Sequence, residues 1–137
     1  MLAMLMRGLP TVETVTSAGG VATIDLTPPE GEVWVVAWAQ GLHDDGVARV
    51  LGFTLNDGVA AANIGPGASI AAGICLPLYA TNPDGVAGKA GMEWALPLTL
   101  NHINHLTLTA ASITAGKHVT INALVYRYRG FGPWSNV

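Results

Sequence analysis

The stretch from Glu32 to Gln40 constrains the fold more than any other part of the sequence. It reads Glu-Val-Trp-Val-Val-Ala-Trp-Ala-Gln, and Gly31 and Gly41 flank it. A run of β-branched, aromatic and alanine residues between turn residues is typical of a β-strand. Because a strand sends alternate side chains to opposite faces, the stretch predicts one face of Val33, Val35, Ala37 and Ala39, and another of Trp34, Val36, Trp38 and Gln40.

Both predicted faces of this strand are largely apolar. An antiparallel sheet with one face in water alternates apolar with polar residues instead. We therefore expect the second sheet of a sandwich on one side of the strand and a different partner on the other. This need for an outside partner is the most direct functional indication in the sequence.

The composition also favours association. Half of the 137 residues are apolar and only 11% are charged, against about 25% in typical soluble domains. With so few charges, part of the surface is expected to be covered by other molecules. A net charge of −3 with six Lys and Arg predicts no nucleic-acid partner. The apolar runs fall short of the roughly 18 residues that a spanning helix needs, so no membrane partner is expected.

The single cysteine and the first residues predict a chain that is made and used without secretion. Cys75 stands alone, which excludes an internal disulfide and favours a small buried hydrophobe. The apolar stretch Met1–Met6 is shorter than a secretory core, and Arg7 follows it rather than precedes it.

Strand-like segments recur along the rest of the chain, separated by turn residues. They are Thr11–Thr16 (a possible edge strand), Val21–Thr27, Ala48–Leu55, Ile74–Tyr79, Met92–Leu100, Leu106–Ala110 and His118–Arg129. Pro77 predicts that its strand is an edge or carries a bulge, and Val59–Ile64 could form a short helix. About seven or eight strands predict an all-β fold, an antiparallel β-sandwich with jelly-roll-like topology first and another sandwich or a small barrel second.

This pattern divides the chain into three parts. Residues 1–19 form an N-terminal arm with the possible edge strand, residues 20–129 form the β-sandwich domain, and residues 130–137 form a C-terminal tail.

Two segments resemble small virion structural proteins of tailed bacteriophages. They are Pro28–Gly58, with a proline-glycine turn, a strand with Trp and the polar turn His43-Asp-Asp, and Gly116–Tyr126, which reads Gly-Lys-His-Val-Thr-Ile-Asn-Ala-Leu-Val-Tyr. The likeness extends loosely over residues 21–129. It implies a capsid decoration (cement) protein or another accessory head or tail component that oligomerises, and it carries no catalytic residues.

Histidines and acidic residues offer weak candidates for metal binding. His102 and His105 have ligand-like spacing, and His43 with Asp44 and Asp45 could add to them. Residues i and i+3 of a strand point to opposite faces, and zinc needs three or four ligands. Three turns resemble calcium loops, at residues 44–46, 56–58 and 82–85, but none has calcium-loop spacing, and turn chemistry explains them. We expect no metal and no cofactor.

Catalytic patterns are missing from the sequence. The serines lie in no nucleophile-elbow pattern, and Gly65-Pro66-Gly67 lacks the Lys-Ser/Thr ending of a phosphate loop. The chain is expected not to be an enzyme. A cupin-like enzyme would require His102 and His105 to meet a carboxylate in a barrel mouth.

Large apolar side chains are the candidates for an interface. Trp34 and Trp38 are either core residues or part of a subunit or ligand surface. Phe131 and Trp134 lie beyond the last strand, where they either fold back as a lid or insert into a neighbour. The N-terminal arm carries Leu2, Leu5 and Met6, which are expected to reach a partner surface.

These observations predict a non-enzymatic virion structural protein, assembled in the host cytoplasm. It would act as a homo-oligomer, with a trimer favoured because capsid lattices offer three-fold sites, and would bridge subunits of the major capsid protein. The alternative is a carbohydrate- or receptor-binding module of a phage tail or fibre. A sugar site would need an exposed aromatic with polar flanks, such as Trp134 with Asn136 or the His102 loop.

Overall fold

Ten β-strands make up the computed structural model, which describes residues 8–64, 67–78 and 97–129. Six strands are long: β1 (Gly8–Thr16), β2 (Gly20–Leu26), β3 (Glu32–His43), β4 (Arg49–Asn56), β9 (His105–Ile113) and β10 (His118–Arg129). Four are short: β5 (Ala61–Asn63), β6 (Ala68–Ile70), β7 (Leu76–Pro77) and β8 (Leu98–Leu100). The described residues contain no helix, so none of them belongs to a helix able to cross a membrane.

The strands form two antiparallel sheets. Sheet A has the order β1-β10-β3, and both β7 and β8 pair with the far edge of β3. Sheet B has the order β2-β9-β4, and both β5 and β6 pair with the far edge of β4. The predicted all-β antiparallel sandwich is therefore confirmed.

The pairing is nested along the chain. The first strand pairs with the last, β2 with β9, β3 with β7 and β8, and β4 with β5 and β6. One long hairpin folded over itself in this way places eight strand positions alternately in two sheets, which is jelly-roll topology. Strands β5 and β6 lie end to end beside β4, and β7 and β8 lie end to end beside β3, so each pair fills one of the eight positions. This explains why the structure has ten strands where seven or eight were predicted.

The core lies between the two sheets. Its fully buried side chains include Leu26, Val36, Leu51, Leu100, Leu106, Leu108, Val119, Ile121 and Val125. The sheets approach closely at Gly41 of β3, where an added Cβ would lie 2.8 Å from both methyl groups of Leu108 of β9. Glycine at this position therefore lets the side chain of Leu108 pack directly on the backbone of sheet A.

Several local predictions are corrected or refined. The short helix proposed over Val59–Ile64 is wrong, because Ala61–Asn63 is strand β5. The predicted edge strand is confirmed as β1, which starts at Gly8 and pairs with β10 along its whole length, so the sandwich includes residues before Gly20. Pro77 lies on an edge strand, as predicted. The prediction that Cys75 is buried is wrong, because its side chain is exposed. The start of the strand predicted at Met92–Leu100 lies outside the described residues.

Candidate interaction surface

A β-bulge in β3 turns Trp38 away from the core. Leu124 of β10 pairs with Trp38, whereas the next residue, Val125, pairs with Val36, so Ala37 is an extra residue on β3. A bulge of one residue reverses the inward and outward alternation beyond it. Val36 before the bulge and Ala39 after it both face the core and are buried.

The prediction that Trp34 and Trp38 share one face is therefore wrong. Trp34 precedes the bulge and is 7% exposed, whereas Trp38 follows it and is 43% exposed. Without the extra residue, the four-residue spacing would have placed both rings on the same side. The two candidates separate into one core residue and one surface residue.

Trp34 closes one end of the core. Its Nε1 donates a hydrogen bond to Glu32 Oε2 at 2.9 Å, and the Arg127 guanidinium carbon lies 4.3 Å from the centre of its ring. Arg127 also donates to Thr11 Oγ1 at 3.3 Å. This cation–π contact covers the ring from solvent, so Trp34 is not available to a partner without opening the sandwich.

Trp38 belongs to an apolar surface on the outer face of sheet A. Directly paired residues on neighbouring strands share a face, and the register pairs Pro10 with Leu124 and Leu124 with Trp38. The next row pairs Gly8 with Tyr126 and Tyr126 with Val35. We call Pro10, Val12, Val35, Trp38, Leu124 and Tyr126 the Trp38 patch.

Gly8, which has no side chain, leaves room for the ring of Tyr126 on the outer face of sheet A. An added Cβ on Gly8 would lie 3.1 Å from Cζ of Tyr126 and 3.3 Å from a methyl group of Leu124. The tyrosine ring therefore lies over the backbone of β1 at Gly8, and it extends the apolar surface from β10 to the edge of the sheet. On the same strand, Val12 is 63% exposed.

The outer face of sheet A carries no Asp, Glu, Lys or Arg among the described residues. The register places the charged residues of its strands, Glu13, Glu32, Arg127 and Arg129, in line with inward-facing positions instead. Its polar members include Gln40, Asn122, Thr14 and Thr120, with His118 at one end. The hydroxyl groups of the two threonines lie 2.9 Å apart.

Sheet B presents a different outer face. Asp25 pairs with Thr107, and Thr107 with Thr54, while Thr109 pairs with Thr23. The Asp25 carboxylate accepts a hydrogen bond of 2.5 Å from Thr107. These polar residues alternate with buried apolar ones, as in an antiparallel sheet in contact with water, and Val21 and Val50 are exposed apolar side chains among them. Sheet A departs from it, as the two apolar faces of Glu32–Gln40 predicted.

The β1 edge of sheet A is protected. Strand β1 carries Pro10, which has no N–H to donate, and Glu13, which pairs with the buried Ile121 and so places a charge on the inward side of an edge strand. Both features oppose pairing of this edge with another strand. The face of sheet A is therefore better suited to association than its β1 edge.

The candidate ligands in the His43 turn serve the structure. Nδ1 of His43 accepts a hydrogen bond from the Asp45 N–H at 3.1 Å, so Nε2 is the atom that donates to the Ile70 carbonyl at 2.8 Å. The Asp45 carboxylate accepts from the Thr114 N–H at 2.8 Å and from Arg49 Nε at 2.9 Å. These hydrogen bonds hold the pKa of Asp45 well below its usual range. Both ring nitrogens of His43 are thus occupied.

Asp44 links the same turn to the start of β10. It accepts hydrogen bonds from the His118 N–H at 2.6 Å and from His118 Nδ1 at 2.7 Å. The backbone N–H of His118, then its ring, lowers the pKa of the Asp44 carboxyl. These contacts join the β3–β4 turn to strand β10.

The other metal candidates do not come together either. His105 Nδ1 lies 3.2 Å from the Ile103 carbonyl, and the Asp57 carboxylate accepts from the Val59 and Ala60 N–H groups of its own turn. Within residues 8–64, 67–78 and 97–129, no three His, Cys, Asp or Glu residues gather where they could hold a metal ion. The carboxylate that a cupin-like site needs beside His102 and His105 is not among them.

The remaining interface candidates, Leu2, Leu5, Met6, Phe131 and Trp134, lie outside the described residues, and so do Asn82–Gly85 and Asn136. Val12, Leu124 and Tyr126 were not predicted to be interface residues. For Leu124 and Tyr126 a signal was present, because the outward positions of β10 include these two residues beside polar Asn122.

Comparisons with known proteins include a distant structural likeness. No family model matches the sequence, and no curated protein matches it. A chain in a structure of infectious bursal disease virus, strain Gx, is similar over 88% of this chain and 38% of its own length, with 13% sequence identity and a TM-score of 0.29. This chain thus spans well under half of that one, and at such a TM-score the likeness carries no argument about function.

Proposed function

We propose that this chain is a non-enzymatic structural protein of a virion, and specifically a capsid decoration protein that bridges and stabilises capsid subunits as an oligomer. The observation that carries the proposal is the outer face of sheet A, an apolar surface without carboxylates, lysines or arginines across three paired strands. Such a surface marks a site of protein association. Its partners would be further copies of the chain and the major capsid protein, and its location would be the virion after assembly in the host cytoplasm.

Three further observations support this function. The jelly roll is a fold of viral capsid and lectin domains, although the fold alone does not define a function. Only 11% of the residues are charged, which suits a protein whose surface is covered in an assembly. The resemblance of residues 21–129 to small phage virion proteins points the same way. The trimer stays a prediction from lattice symmetry.

The test of this function is made on virus particles. Particles produced without the chain should release their genome at a lower temperature than complete particles, and the purified chain, added back, should sediment with them and restore the release temperature. A chain that is absent from complete particles, or whose loss leaves the release temperature unchanged, contradicts the proposal.

A second candidate is a carbohydrate-binding module, favoured by one observation. Trp38 is exposed on the same face as the paired amides of Gln40 and Asn122, and an aromatic ring beside amide groups suits a sugar. A 290 Å³ depression on sheet B lacks this character, because Val50, Gly52, Thr54, Thr109 and Ala111 supply no aromatic ring to it. Glycan-array binding that Trp38→Ala abolishes would favour this candidate over the first.

A further inference from the structure

We propose that His43 is a pH-sensitive switch, whose protonation releases the β6–β7 turn (residues 70–75) from the end of strand β3. The switch is a property of a single chain, so it holds whether or not the proposed function is correct. The opening would occur in mildly acidic solution, where an imidazole that is exposed to water gains a proton.

The two hydrogen bonds of the His43 ring admit only its neutral form. A backbone N–H can only donate a hydrogen bond, and a backbone carbonyl can only accept one. Nδ1 faces the Asp45 N–H at 3.1 Å and must therefore carry a lone pair. Nε2 faces the Ile70 carbonyl at 2.8 Å and must therefore carry the proton. A second proton, on Nδ1, would set two donors against each other.

Burial leaves the ring no other partner for that second proton. His43 is 1% exposed, and the pairing of its backbone with Val119 of β10 holds it at the end of sheet A. A charged imidazole in this place would have no water around it and would lose the hydrogen bond to Asp45. The ring can accept a proton only by leaving its site.

The charged groups around the ring do not offset this cost, because they already balance one another. The Asp45 carboxylate pairs with Arg49 of β4 at 2.9 Å. The Asp44 carboxylate binds the ring of His118 on β10, and Lys117 adds a positive charge beside it. The β6–β7 turn itself contains no Asp, Glu, Lys, Arg or His.

Loss of the ring contact would free the β6–β7 turn. The turn is joined to His43 twice, through the Ile70 carbonyl and through the Gly73 N–H, which donates to the His43 carbonyl at 2.9 Å. The strands on either side hold it weakly, because β6 has three residues and β7 has two. Protonation of His118 would strengthen its contact with Asp44, so the opening stays confined to residues 70–75.

The size of the effect follows from proton linkage. The closed form binds no proton at His43, whereas in the open form the ring lies in water and has the ordinary imidazole pKa of about 6.5. Opening therefore becomes more favourable as the pH falls through that value. Between pH 7.5 and pH 5, the population of the open form should rise about 30-fold.

Hydrogen exchange at two matched glycine amides tests the switch in the full chain. Gly73 and Gly116 both lie in turns, with φ of 76° and 84°. Each N–H donates to a backbone carbonyl at 2.9 Å, of His43 and Ser17 respectively. The protection factor of the Gly73 amide, corrected for the intrinsic pH dependence of exchange, should fall at least about tenfold from pH 7.5 to pH 5. The protection factor of the Gly116 amide should change by less than about twofold.

Two histidine variants separate the switch from other effects of acid. In His43→Asn the side chain does not titrate, while its oxygen can still accept a hydrogen bond from the Asp45 N–H two residues along the chain. This variant should lose the pH dependence of the Gly73 protection factor. His118→Asn removes the neighbouring imidazole and should keep that dependence.

The outcomes decide the inference in either direction. A Gly73 protection factor that does not change with pH, a fall that Gly116 shares, or a fall that persists in His43→Asn overturns the switch. If His43→Asn does not fold, nitrogen NMR of the wild-type ring decides instead. A ring that is doubly protonated at pH 5 while Gly73 stays protected overturns the switch, and an Nδ1 that is unprotonated wherever Gly73 is protected supports it. These measurements need no virus particles, so their failure is distinct from a failure of the proposed function.

Discussion

The close approach of the two sheets at Gly41 leads to a measurable penalty for the smallest possible side chain. In Gly41→Ala, the new Cβ would lie 2.8 Å from both methyl groups of Leu108, where carbon atoms prefer about 3.5–4.0 Å. Leu108 is fully buried and pairs with Ile24 on one side and Phe53 on the other. In a close-packed interior it has little room to retreat.

The expected magnitude follows from two opposing effects. Overpacking a core costs about 1–3 kcal/mol, while replacing glycine by alanine stabilises by about 0.4–1 kcal/mol through the unfolded chain. The net loss should be about 1–2 kcal/mol in the free energy of unfolding, measured by urea denaturation. For a domain of this size, that loss lowers Tm by about 3–10 °C, at one fixed protein concentration because association also shifts Tm.

Two controls make the reasoning refutable. Gly46→Ala adds a Cβ with no heavy atom within 4 Å, so it should be neutral or stabilise by up to about 1 kcal/mol. Gly41→Ala in a Leu108→Ala background should lose its penalty, because the atoms it contacts are gone; Leu108→Ala itself should cost about 2–5 kcal/mol. An equal penalty for Gly41→Ala in both backgrounds would refute the contact with Leu108 as its cause.

Three further predictions concern acid, metals and the N-terminal arm. Because the folded-state pKa of Asp45 lies below its ordinary value of about 3.9, its ionised form stabilises the protein above that value, and the contribution declines as the pH falls toward the folded pKa. Asp45→Asn should therefore lower the urea midpoint more at pH 7 than at pH 3, and an equal loss at both would contradict this origin. EDTA should leave Tm unchanged, whereas a drop of several degrees that zinc or calcium restores would reveal a metal site. Deleting residues 1–7 leaves β1 intact, so the circular dichroism spectrum should not change while capsid binding weakens; unfolding would assign the arm to the core, and unchanged binding would show it to be idle.

The strands, the sandwich and the apolar outer face could be predicted, because each depends on local periodicity. The position of Trp38 could not. In a strand that is apolar on both faces, no alternation of apolar and polar residues shows which side chains point inward. The sequence therefore does not reveal an extra residue such as Ala37. The roles of His43 and Asp44 were equally hidden, since their partners Ile70 and His118 lie far along the chain. The spacing of His43 and Asp44 suggested metal ligands, but their long-range hydrogen bonds show a structural role.

The nested pairing of the strands also sets an order for biosynthesis. Strand β10 lies between β1 and β3 in sheet A, so the centre of this sheet is the last of the described strands to be translated, and β1 cannot pair until β10 has been made. Pairings so distant along the chain close slowly, and until they close, apolar strands stay exposed to other molecules. The nascent chain can form β4 with β5 and β6 early, but sheet A, one of the two layers around the core, cannot form as a whole until β10 has been translated.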